Sequence, residues 1–271
     1  MDFRTIVGIP KPDFSIAPCE GMLFVGSCFA DAIGRRFREN GFPVTINPLG
    51  TMYNPASVLH TIGKIVNGKL VNGQFTTVFI TLGTNHVYRL KETGEIVDNC
   101  QKRPAALFRE EELTVDQCAD CLRQSVSILR QHNPDVRVVL TVSPIRYRKY
   151  GYHESQLSKA TLLLAAATVC NDHVATYFPS YEIVLDELRD YRFYASDMLH
   201  PSDQAVDYIW ERLVDTCFSA EAKAFLKEWE PLKQALAHKP FNPESAEYRN
   251  FMDKTMLKVE EIRKKYPTFA L

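Results

Sequence analysis

Leu23-Phe24-Val25-Gly26-Ser27-Cys28-Phe29-Ala30-Asp31-Ala32-Ile33-Gly34 joins a short apolar run to a helical pattern through a turn of small residues. The run reads as a strand from Met22 to Val25. The pattern reads as a helix from about Ala30 to Asn40, with Ile33 and Phe37 spaced to face a sheet and Gly41 as a left-handed cap. Such a turn lifts Ser27 and Cys28 to the carboxyl end of a strand, beside the unpaired N–H groups that open the next helix. Open α/β sheets build their sites there. Taken alone, the stretch is equally an ordinary βα connection, so its meaning depends on what the later chain supplies.

The later chain repeats the alternation. Phe42 to Ile46 is β-rich, Asn47 to Pro55 is a loop of turn formers, and a helix is expected from Ala56 to Val66 with Gly68 and Gly73 at its exit. Thr76 to Leu82 reads as a buried strand closed by Gly83-Thr84-Asn85-His86. A hairpin around Thr93-Gly94, a loop through Pro104 and a helix from Leu113 to Gln131 capped by Thr114 follow. Val136 to Val142 and Val174 to Phe178 read as strands, Ser158 to Asn171 and Asp203 to Phe218 as helices, and Arg146 to Ser155 as a polar, aromatic loop. Strands alternating with helices predict a three-layer α/β/α sandwich on a parallel five-stranded sheet, over residues 1–218. At its start, prolines at 10, 12 and 18 make Met1 to Glu20 an extended lead-in. After it, charged helix formers broken by Pro231, Pro240 and Pro243 predict a C-terminal helical extension over 219–271, packed on the sandwich.

Composition narrows the class. With 32 Lys and Arg against 33 Asp and Glu, the net charge is -1 and no basic stripe stands out, which argues against nucleic acid as a partner. No apolar run approaches the ~18 residues of a membrane span, and the N-terminus lacks a basic segment followed by an apolar one, so a cytoplasmic location is expected. Seven cysteines, an odd number, suit a reducing compartment. Cys118 and Cys121 form a single CxxC on a helical pattern and read as packing; no metal and no cofactor are expected.

Four loops at the presumed carboxyl edge of the sheet, or approaching it, carry chemically useful groups. Ser27 and Cys28 are nucleophile candidates, Gly50 offers a backbone N–H, Asn85 a side-chain amide, and Asp197-x-x-His200 an acid–base pair that one short loop holds in register. A serine or cysteine attacking an acyl carbon needs a base, a carboxylate to fix the base's tautomer, and donors for the developing oxyanion. Tyr53 and Asn54 are candidates for a sugar hydroxyl, with helix capping the alternative for Asn54, and His86 lines the pocket or its rim.

These blocks carry a resemblance. Gly26-Ser27-Cys28-Phe29-Ala30, Asn47 to Pro55, Leu82-Gly83-Thr84, Leu140 to Pro144, Ser158-Lys159, Tyr177 to Glu182 and Asp197-Met198-Leu199-His200-Pro201 resemble the GSCFA domain proteins, which belong with the SGNH (GDSL-type) hydrolases, over roughly Ile16 to Phe218. The resemblance implies a flavodoxin-like fold, a bacterial origin and an acyl-ester hydrolase acting on a small-molecule or carbohydrate-linked acyl ester. The alternatives are an O-acyltransferase in polysaccharide modification and a catalytically inactive binding module. By the same likeness Gly50 and Asn85 correspond to oxyanion donors and Asp197 and His200 to the catalytic Asp-x-x-His. The first block departs: in register with Gly26, the aspartate slot of Gly-Asp-Ser holds Ser27 and the serine slot holds Cys28. Register and intrinsic nucleophilicity favour Cys28, while the chemistry of the wider superfamily favours Ser27.

Overall fold

Strand β1 (Met22–Gly26) is buried along its whole length and pairs in parallel with β2 (Val44–Ile46) on one side and β3 (Thr77–Leu82) on the other. The computed structural model describes residues 4–68, 75–98, 100 and 103–271; Gly73 lies outside them. Further along the chain come β4 (His86–Leu90), β5 (Ile96–Val97), β6 (Phe108–Glu112), β7 (Arg137–Val142) and β8 (Thr176–Tyr177). The parallel sheet has the order β2-β1-β3-β7-β8. This is the doubly wound, flavodoxin-like order, in which the chain runs outward in opposite directions from the β1/β3 boundary.

With right-handed crossovers, that reversal puts the helix between β1 and β2 on one face and the helices of the later crossovers, which run the other way, on the opposite one. Helix α1 (Cys28–Glu39) covers one face, joined by α6 (Asp203–Cys217), α7 (Ala220–Ala237) and α8 (Ala246–Lys265); α2 (Pro55–Gly68), α3 (Val115–His132) and α4 (Tyr152–Asn171) cover the other, and the one-turn α5 (Ser180–Glu182) follows β8. The strand period of two divides the core accordingly. Phe24 of β1 packs on Phe37 and Phe79, each with ring centroids at 5.1 Å, whereas Leu23 and Val25 join Ile62, Leu122 and Leu162 on the far side. The helical extension shares the first of these cores: Phe225, Trp229, Val259, Ile262 and Phe269 are buried with Phe37 and Phe42.

Several elements depart from the sequence pattern. Helix α1 starts at Cys28 because Ser27 caps it, so the nucleophile candidate is helical. Helix α4 starts at Tyr152, after Gly151 at φ +83°, rather than at Ser158. The hairpin gains β6, whose Phe-Arg-Glu-Glu-Glu lacks an alternating apolar face, and β4 to β6 form an antiparallel flap of order β5-β4-β6. The strand expected at Val174 to Phe178 pairs over two residues only. Pro231 sits inside α7 and does not break it; it is exposed, so water can serve the carbonyl it leaves unbonded, while Trp229 and Leu232 anchor the helix on either side. Among the described residues no helix is long and apolar enough to cross a membrane.

Candidate active site

The β1 exit is tight. Gly26 adopts φ +136°, and a Cβ there would stand 2.1 Å from the Thr81 carbonyl oxygen, so the turn requires glycine. Its N–H donates to Asn47 Oδ1 (2.9 Å), and the Asn47 amide donates to Asp31 (2.9 Å), tying the second loop to α1.

The structure gives the two nucleophile candidates different surroundings. Ser27 is 1% exposed; its Oγ accepts from the Phe29 N–H (3.3 Å) and meets Thr81 Oγ1 at 2.9 Å. Cys28 is half-buried at the first helical position, where an amide has no intrahelical acceptor. Among the described residues its Sγ has one hydrogen-bond partner, the Tyr53 hydroxyl at 3.4 Å.

Asp197 and His200 form a local unit. Asp197 Oδ1 accepts from the Leu199 and His200 amides (2.8 and 3.0 Å), and Oδ2 lies 2.6 Å from His200 Nδ1. The two amides, then the imidazole, hold the Asp197 carboxyl well below the usual carboxylate range, so it is ionised at neutral pH. Met198, between them, is at φ +59°, and Arg146 closes the turn from outside, its backbone N–H reaching the Leu199 carbonyl (2.9 Å) and its Nη1 the Met198 carbonyl (3.0 Å). His200 Nε2 makes no hydrogen bond among the described residues, to Cys28 or to any other group.

The remaining candidates are engaged locally. The Gly50 N–H donates to the Asn47 carbonyl (2.8 Å) in an exposed turn. Asn85 is 2% exposed; its Nδ2 donates to the Leu113 carbonyl (2.8 Å) and its Oδ1 is buried without a partner. Asn54 Oδ1 accepts from the Ser57 N–H (2.8 Å), a capping contact at the start of α2. His86 stacks on Tyr150 at 3.8 Å, and burial pushes its imidazole below the ordinary value. Tyr53, 38% exposed, faces Tyr147 (6.3 Å), which adjoins Tyr150, making an aromatic border beside Cys28.

Lys159 stands out as a residue to which sequence reasoning assigned no role. It is 2% exposed, donates from Nζ to the Gly83 (2.7 Å) and Ser143 (2.8 Å) carbonyls at the ends of β3 and β7, and burial pushes its ammonium down to about 7. The adjacent Ser158 Oγ accepts from the Asn85 N–H and meets Thr84 Oγ1, both at 3.0 Å. The signal was present: Lys159 falls on the Ser155–Leu162–Ala166 spacing, the apolar face of α4.

A doubly wound sheet of this order defines an α/β protein, and its topological switch point, the crevice in which such folds bind ligands, is the β1/β3 boundary beside Gly26, Ser27 and Cys28. The sequence matches the GSCFA family over residues 21–76 and 71–213, and the GSCFA domain protein, C-terminal domain, over 229–271; the chain belongs to the GSCFA family. No curated protein matches it. Similar solved structures include a member of the lipolytic protein G-D-S-L family from Veillonella parvula (10% identity, 72% of this chain and 97% of that one, TM-score 0.45). An acetyl-xylooligosaccharide esterase from Geobacillus is another (13%, 76% and 98%, TM-score 0.46).

Proposed function

We propose that this protein is an SGNH-type acyl-ester hydrolase that works through a Cys28 thioester, with His200 as base and Asp197 as its orienting carboxylate. The observation that carries the reading is the 2.6 Å contact of His200 Nδ1 with an Asp197 carboxylate already held by two backbone amides. It assigns the ring proton to Nδ1 and leaves Nε2 as the acceptor, as a general base requires. Cys28 is the nucleophile because its thiol is half-exposed at the start of a helix, whereas the Ser27 hydroxyl is buried and bonded to Thr81.

His200 Nε2 takes the thiol proton, the thiolate forms a bond to the acyl carbon, and the carbonyl π pair moves to oxygen. When that pair returns, the C–O bond to the alcohol breaks and the leaving oxygen takes the proton from His200. Water, deprotonated by His200, then cleaves the thioester, releasing the acid and restoring the thiol. The substrate is a small or carbohydrate-linked ester, for which the tyrosine border offers stacking surfaces. All seven cysteines are free, which suits a reducing, cytoplasmic location.

A second reading, O-acyltransferase, draws on the same thiol, since a thioester passes its acyl group readily to an acceptor. Incubation with p-nitrophenyl acetate and with acetylated sugars, followed by mass spectrometry of the protein, tests both. Acetyl on Cys28 with release of acetate supports the hydrolase, and release only after an acceptor sugar is added supports the transferase. No release and no adduct under either condition sinks both and leaves a binding module.

A further inference from the structure

The expected oxyanion donors at Gly50 and Asn85 point elsewhere: the Gly50 N–H serves a turn, and the Asn85 Nδ2 serves the Leu113 carbonyl. A tetrahedral intermediate on Cys28 still needs donors aimed at its oxygen. The Cys28 amide, opening α1, is one. Building on the reading of Cys28 as nucleophile, we infer that Tyr53 is the second: a catalytic residue whose hydroxyl donates first to the sulfur and then to the oxyanion formed on the acyl carbon.

Tyr53 Oη lies 3.4 Å from Sγ, the sulfur's one hydrogen-bond partner among the described residues. An oxyanion on the attacked carbon forms next to that sulfur, within reach of a small turn of the hydroxyl. Partial burial and the contact with Cys28 push the Tyr53 hydroxyl above its ordinary value, so it keeps its proton and remains a donor.

Its placement is unusually well determined for a loop residue. The Tyr53 carbonyl accepts from both the Gly83 (2.8 Å) and Thr84 (2.9 Å) amides. A Cβ at Gly83 would stand 3.1 Å from the Tyr53 carbonyl oxygen and 3.2 Å from its ring, so the glycine lets the two loops lie in contact. Lys159 holds the Gly83 carbonyl and Ser158 the Thr84 hydroxyl and Asn85 amide. The Gly83-Thr84-Asn85 loop thus acts as a clamp that aims Tyr53, in place of donating to the oxyanion itself. Lys159 is a positioning residue in that clamp.

The step moves no atom from Tyr53. The S–C bond forms as the carbonyl π pair shifts to oxygen, Oη–H hydrogen-bonds to that oxygen, and the pair returns as the alcohol leaves with the proton carried by His200.

The test is Tyr53→Phe, which removes one hydroxyl from a partly exposed ring and leaves the backbone clamp intact. On p-nitrophenyl acetate kcat should fall about 10²–10³-fold with KM little changed, the scale of losing one oxyanion donor. A second readout replaces the ester C=O by C=S, a weaker hydrogen-bond acceptor. The wild-type preference for the oxygen ester should shrink in Tyr53→Phe, which a loss of packing would not cause. If wild type and Tyr53→Phe acetylate Cys28 at equal rates with equal preferences, the inference is overturned while the nucleophile assignment stands. If the wild type forms no acetyl-Cys28, both are overturned together.

Discussion

Ser27 Oγ lies 2.9 Å from Thr81 Oγ1 in a site 1% exposed, and the same oxygen caps α1 through the Phe29 amide. Both contacts are structural, and both hold the turn that presents the next residue. Ser27→Ala should therefore cost about 1 kcal/mol of stability, the usual penalty for losing a cap, and turnover should survive it. Cys28→Ala should keep the melting temperature near that of the wild type and lose esterase activity to background. Thermal melts and initial rates on the same preparations check this; full activity in Cys28→Ala would return the nucleophile to Ser27.

Asp197 interacts with His200 twice, through its own carboxylate and through the backbone amide of His200. Replacing the carboxylate by an amide keeps the shape and loses control of the tautomer. Asp197→Asn should lower kcat by about 10⁴-fold, as expected when a base is held in the wrong tautomer. The sign with pH follows from the direction of the shift. A carboxyl held below its ordinary ~3.9 stays ionised above that value and loses its partner only in stronger acid. The acid limb of kcat/KM thus belongs to other groups, and the Asn variant should be impaired equally from pH 6 to 8. A variant that recovers as pH rises would contradict this role.

The alternation of strands and helices was readable because the buried strands β1, β3 and β7 are runs of apolar and β-branched residues, and because the helices between them carry a 3.6-residue period. The Thr114 cap was readable too, and the capping box with Gln117 explains it chemically. Of the flap only the hairpin around Thr93-Gly94, β4 and β5, was readable: β6 is almost wholly charged, and it exists because β4 supplies ladder partners. Asp197 and His200 sit on one short turn, where sequence spacing translates into geometry. Gly50 and Asn85 depend on which carbonyls the fold brings to them, Asn47 and Leu113, and pairings of that kind leave no trace in spacing. Tyr53 lies between these cases, since its loop was legible and its approach to Cys28 was not.

Lys159 carries a charge into a buried place with two carbonyls for partners. Burial pushes its ammonium to about 7, against an ordinary value near ~10.4. Between those values the unfolded chain holds a proton that the folded chain has released, so this residue's contribution to stability rises with pH across the window. Below about 7 both states are protonated and the full cost of the buried charge is felt. Lys159→Met removes that dependence. Urea midpoints from pH 6.5 to 8.5 should show wild-type stability gaining on Lys159→Met as pH rises, with the titrations of other groups cancelling in the difference. Parallel curves would mean that Lys159 stays charged throughout.

Trp229 tests whether the C-terminal extension folds with the sandwich. Its ring is 1% exposed and 4.9 Å from Phe269, and its Nε1 donates to the Glu39 carbonyl (3.0 Å) at the end of α1. Phe225 from the same helix packs on Phe42, which in turn packs on Phe37 beneath the sheet. With one continuous core, truncation in α7 must destabilise the whole unit. Trp229→Ala should cost about 3–5 kcal/mol, the range for a large aromatic removed from a core. The remaining tryptophan, Trp210, contacts Phe37 and Phe218 and so reports on the sandwich. Its fluorescence and the far-ultraviolet circular dichroism should lose structure together, at a lower denaturant concentration than in the wild type. If Trp210 keeps the wild-type midpoint while part of the helical signal melts early, the extension is a separate unit and the shared core does not couple the two.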